Sequence, residues 1–213
     1  MKRHLKRILS GLGLGVVMSC MAIPIAYAGP IPTFSGGKLS GFTGIHVGAS
    51  IFDVSIEDGT CAGVFGAGTG GAAGQAGGQC DVSAFAFHNA TDAGAASSAL
   101  YAAITAAGFN GMPDSILDPA PAAIHNAMIV WTPFGDDAAL GILSSDLRIC
   151  DPTACTAAAP DGQVIAPRFH LTSTAGANSV WGVWTTSVPE PASLALFALG
   201  LAGLGFSRHK HSR

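Results

Sequence analysis

The chain has 213 residues, 49% of them hydrophobic and only 11% charged, which is room for one or two small domains. Its formal net charge of −3 hides a segregation: of ten Lys and Arg, only Lys38, Arg148 and Arg168 lie between the two ends. Set against twelve carboxylates from Asp53 to Asp161, they leave residues 29–188 at −9, which excludes nucleic-acid binding and keeps this body off anionic membrane surfaces.

Residues 1–28 read as a signal peptide. Lys2, Arg3, Lys6 and Arg7 make a basic head, and Ile8 to Ala22 an apolar stretch. Ala26 and Ala28 are the small residues at the two positions signal peptidase reads. An N-terminal signal helix, passed through the Sec machinery and cut after Ala28, is expected. Pro24 argues against a retained anchor. Cys20, behind a poor acylation box of Met18 and Ser19, leaves with the signal.

Residues 29–187 then form one exported domain, large enough to bury its own core. The stretch "GIHVGASIFDVSIEDG" alternates apolar and polar residues, with a slip in parity near Ala49 that predicts a bulged strand. Residues 62–79 form a Gly/Ala-rich loop with no apolar face to offset its ordering entropy. Its "GAGTGG", Gly66 to Gly71, spells G-x-G-x-x-G outside any strand-to-helix context, so it implies no dinucleotide, and no cofactor is expected elsewhere. Cys61, Cys80, Cys150 and Cys155 are an even set suited to an oxidising compartment. They allow three disulfide connectivities, of which proximity in sequence favours Cys61 with Cys80 and Cys150 with Cys155. A zinc site would want C-x2-C spacing, which is absent.

Beyond Cys80, "CDVSAFAFHN" alternates and predicts a strand. An Ala-rich helix is expected over about 91–108, capped by Thr91 or Asp92 and ended by Gly108. The "NAT" at Asn89 is formally a glycosylation sequon. A proline-rich loop with a turn at Asp118 and Pro119 precedes four strand candidates: "NAMIVWTPF", "AALGILSSDLRIC", "QVIAPRFHLTS" and "NSVWGVWTTS". The expected fold class is mainly β. It is an antiparallel sandwich or partly closed barrel, with the helix crossing an end or covering an edge.

Chemistry in the body is sparse. His46, His88, His125 and His170 lie on separate candidate elements with no metal-ligand spacing. Asp136 and Asp137 are weak calcium candidates without an acidic ligand loop around them. Trp131, Trp181, Trp184 and Phe134 offer a possible sugar-stacking platform, although Trp181 and Trp184 differ in parity, so that at least one belongs in the core. No nucleophile motif is present. An extracellular hydrolase would need an Asp/His site that only the fold could assemble.

Residues 188–213 begin with Val188, Pro189, Glu190 and Pro191, continue through an uncharged run from Ala192 to Phe206, and end in a basic cluster with Arg208 and Lys210. A transmembrane helix is expected at about 190–206, short for a bilayer at 1.5 Å per residue, with its basic end held in the cytoplasm. This three-part order resembles the PEP-CTERM sorting signal. The resemblance implies a Gram-negative bacterium with an exosortase that cleaves near Pro189 to Pro191. The inner membrane would be a transient anchor, and the cell surface or extracellular matrix the destination, with exopolysaccharide as a candidate partner. The resemblance says nothing of the body, whose low charge, Gly/Ala-rich loop and lack of a site motif point to display without catalysis, as a structural or glycan-binding domain.

Overall fold

A computed structural model describes residues 29–70, 79–116, 127–137, 141–157, 160–170 and 178–187. The signal segment, with Ala26 and Ala28, and residues 188–213 lie outside these. So do His125, the Asp118–Pro119 turn and part of the Gly-rich loop.

The strands are β1 (Ile31–Ser35), β2 (Lys38–Val47), β3 (Ser50–Glu57), β4 (Ala67–Gly70), β5 (Ala127–Asp137), β6 (Gly141–Cys150), β7 (Val164–His170) and β8 (Ser179–Thr186). The helices are α1 (Cys61–Phe65) and α2 (Ala90–Ala106). Seven strands make one sheet in the order β1-β2-β3-β8-β5-β6-β7. The four strands expected in the second half all form. Neither a sandwich nor a barrel does: the sheet is single, open and mixed, because β8 runs parallel to β5 and antiparallel to β3. A second sheet is unnecessary, since α2 covers one face instead of an end or edge, packing on β2, β5, β6 and β7.

α2 is held at both ends by local chemistry. Asn89, not Thr91 or Asp92, is the cap: its Oδ1 accepts from the Asp92 amide at 2.9 Å, and its Nδ2 donates to Asp92 Oδ2 at 2.7 Å. At the other end Gly108 takes φ +81°, which lets Phe109 N–H reach back to Ile104 O at 3.0 Å. The buried stripe Ala93, Ala96, Ser97, Leu100, Ala103 and Ile104 is mostly small, so the helix lies close to the sheet. Leu100 and Ile104 are fully buried against it, each contributing roughly 1.5–3 kcal/mol. A buried polar contact sits in this layer: Ser97 Oγ and Trp184 Nε1 both donate to Thr132 Oγ1, at 3.1 and 3.2 Å.

The parity slip near Ala49 is a hairpin turn and not a bulge. Val47 pairs with Ser50, and Gly48 supplies φ +61° between them. The actual bulge in this pair lies earlier, between Phe42 and Ile45, where Asp53 Oδ1 accepts from the Gly44 amide at 2.9 Å.

The face away from α2 carries Trp131, Ile142 and Trp181, and a small lobe made of α1, β4 and residues 80–85 packs over it. "CDVSAFAFHN" is therefore not a strand but a 3-10 turn, Val82–Ala84, followed by extended chain. Its alternation is real, because Phe85 packs on the Trp181 face and Phe87 on the α2 face, where it meets Phe52 and Trp184.

Candidate functional site

A polar cluster lies on the lobe face, where β5, β6 and β7 run side by side. Alternation sends Ser144 and Asp146 of β6 to this face and Leu147 and Ile149 to the α2 core. The antiparallel register brings Arg168 opposite Ser144 and His170 opposite Ile142. Asp146, 7% exposed, accepts from Ser144 Oγ at 2.5 Å and lies 3.0 Å from His170 Nε2. Ser144 Oγ is also 2.8 Å from the same Nε2, and Arg168 Nε stands 3.8 Å from the other Asp146 oxygen. The His170 ring stacks on Trp131, with centroids 3.9 Å apart and planes at 27°.

Serine, histidine and aspartate are thus in contact, yet they are wired differently from a nucleophilic relay. A relay places the serine on one ring nitrogen and the carboxylate on the other, so that the base is oriented while it takes the proton. Here both oxygens converge on Nε2. With Ser144 donating to Asp146, the Nε2–H tautomer lets both donors meet the carboxylate, which describes a clasp between β6 and β7. His46 and His88 are exposed and belong to other elements, so the three described histidines do not converge.

The four aromatics of the expected stacking platform are all buried: Trp131 is 6% exposed, Phe134 8%, Trp181 0% and Trp184 5%. Trp181 and Trp184 fall on opposite faces, as their parity requires, and both are core. A methyl-lined hollow of 340 Å³ lies between α2 and β2, bounded by Pro30, Ile45 and His46, on the opposite face from His170.

Asp136 and Asp137 end β5, paired with Ile142 and Gly141. As successive strand residues they point to opposite faces, which is unsuited to sharing one calcium ion. Among the described residues the ligand-type atoms that converge within 4.8 Å are those of Cys150, Cys155 and Asp161, and the two sulfurs are bonded to each other.

Both expected disulfides form, Cys61 with Cys80 and Cys150 with Cys155. The first staples the lobe at its base. The lobe's glycines are spaced for close backbone contact: a Cβ on Gly68 would stand 2.5 Å from Asp81 Cα. Gly68 and Gly70 of "GAGTGG" therefore serve packing within β4. The second disulfide closes a loop whose neighbour Asp161 accepts from the Cys150 amide at 3.0 Å and from the Tyr101 hydroxyl at 3.2 Å. Burial, and then the Asp161 charge, push the Tyr101 phenol above its ordinary value. In the turns, the Ser83 hydroxyl and amide hold the Asp81 carboxyl below the usual range, as those of Thr153 do for Asp151.

The body's two ends leave from the same end of the sheet, one on β1 and the other on β8. Ile31 pairs with Thr43, so the chain enters beside Ile45; Ser187 donates to Ile51 O at 2.9 Å, and Ile51 pairs with His46. Val188, Pro189, Glu190, Pro191, Arg208 and Lys210 lie beyond the described residues. Among the described residues no helix is long and apolar enough to cross a membrane, and the expected span at about 190–206 falls outside them.

No curated protein and no solved structure matches the chain. Residues 187–209 match the family described as the PEP-CTERM protein-sorting motif, so the chain carries this motif directly after the last strand of its sheet.

Proposed function

We propose that this chain is a precursor that an exosortase cleaves near Pro189 to Pro191, releasing a β-rich body to the cell surface or extracellular matrix of a Gram-negative bacterium. The observation that carries the reading is the sorting motif at 187–209, which implies exosortase processing and sorting out of the cell. The signal peptide read over residues 1–28, the even set of disulfide-bonded cysteines and the acidic body support the same route. Comparing cells with and without exosortase tests it. The expected result is loss of the tail mass and movement to the surface fraction only when the enzyme is present; equal mass and location in both would overturn it.

Within that route the body acts by display. One feature supports a role without catalysis: Ser144 and Asp146 share one nitrogen of His170. The extracellular-hydrolase reading has one observation in its favour, the contact of serine, histidine and aspartate itself. A fluorophosphonate probe separates the two readings. An unlabelled body agrees with display, and labelling abolished by Ser144→Ala would establish a nucleophile. If the body meets exopolysaccharide, it does so through surfaces other than the four buried aromatics.

A further inference from the structure

The sorting motif and the fold share a residue. Ser187 is the first residue of the matched segment, and its amide is hydrogen-bonded to Ile51 O at 2.9 Å. No spacer separates Val188 from the sheet.

The strand that ends there is held unequally along its length. Pairs between β8 and β5 run from Ser179 to Trp181, whereas Gly182 to Thr186 pair with β3 alone among the described strands. The Trp184 ring is buried, and it is the last deep anchor: Thr185 and Thr186 are exposed and Ser187 half-buried. Among the described residues these three therefore hang on one ladder, with no buried side chain of their own to hold them.

A protease binds its substrate extended on both sides of the scissile bond. A cut near Pro189 to Pro191 leaves only one to three residues before the sheet, about 3–11 Å of extended chain. Proline also offers no amide hydrogen to an enzyme cleft. The missing length has one local source, the one-sided end of β8.

We propose that Thr185, Thr186 and Ser187 belong to the segment the sorting enzyme takes in, and that their pairing with Ile51, Phe52 and Asp53 gates cleavage. This rests on the exosortase reading above. The enzyme acts on chains whose β8 end has lifted from β3. Because such fraying is fast compared with cleavage, the rate follows the open fraction.

The test is a pulse-chase of the full-length precursor in cells carrying the exosortase. A short Gly/Ser spacer between Ser187 and Val188 supplies the missing length without touching the fold, and should raise the cleavage rate about fivefold or more, the factor one net backbone hydrogen bond is worth. Thr186→Gly, which weakens the ladder and leaves Trp184 in place, should raise it in the same direction. Unchanged rates in both variants would overturn the gate. A slower rate in the spacer variant would also overturn it, showing that the enzyme needs the body held close. A wild-type precursor that is never cleaved would instead refute the exosortase reading, and the gate with it.

Discussion

Asp146 is the residue on which the β6–β7 contact turns. It is a carboxylate only 7% exposed, with Ser144, His170 and Arg168 around it. Asp146→Ala removes the acceptor shared by buried Ser144 and half-buried His170 and should cost about 3 kcal/mol in urea unfolding, while Ser144→Ala, which removes one donor, should cost about 1 kcal/mol. The sequence shows this residue in "LSSDLR", a polar run inside a strand candidate with no local pattern to mark it as paired. Which histidine it would meet depends on a β6–β7 register that includes a shift between Ser144 and Asp146. Tyr101 gives a second residue-scale expectation. Its phenol is raised above the ordinary value of 10.0, so the folded state keeps the proton longer than the unfolded chain does. Its contribution is complete below pH 10.0 and declines as pH rises through the raised value. Tyr101→Phe should flatten the alkaline limb of the stability profile, measured by denaturant midpoints at stepped pH.

The lobe shows what one staple does for an element too small to stand alone. α1 has five residues and β4 four, lengths that do not persist without tertiary support. The Cys61–Cys80 bond spans 19 residues and brings Phe65 and Phe85 edge-on to each other over Trp181. Replacing both cysteines with serine should cost about 3 kcal/mol. The loss should be local at first, with a red shift in tryptophan emission as Trp131 and Trp181 meet solvent before the sheet unfolds. The pairing itself was legible, because a loop with no apolar face needs closing at its base. The structure of residues 81–87 was not. A period of two reports two rings buried on one side of the chain, and here those rings go to opposite faces of a sheet that the segment passes without joining. Periodicity records burial and carries no information about ladder partners.

At the scale of the whole molecule, the sheet is open and has two edges to protect. Each edge strand contains a proline, Pro32 in β1 and Pro167 in β7, which removes a donor from the exposed ladder. β1 also exposes Ile31 at 58% and Phe34 at 55%. Pro32→Val should therefore promote association of the purified body, seen as concentration-dependent light scattering, with little change in its unfolding midpoint. Strand identity in the second half was readable from the turn chemistry between apolar runs. Strand order was not, because β8 inserts between β3 and β5 and pairs with residues more than a hundred positions earlier. No local pattern specifies such a partner. The sandwich expectation failed for the same reason, since the number of strands says nothing of how many layers they form.

β8 is the fourth of seven strands and also the one from which the chain leaves the body. Wherever the body remains tethered through that end, mechanical load enters at the middle of the sheet and runs along the strand axis. Six residues of β8, Trp181 to Thr186, are paired antiparallel with β3 and would bear such a pull together, in shear. The same ladder opens pair by pair when its end is lifted sideways. A central-strand tether thus yields to an enzyme working across the strand and resists tension directed along it.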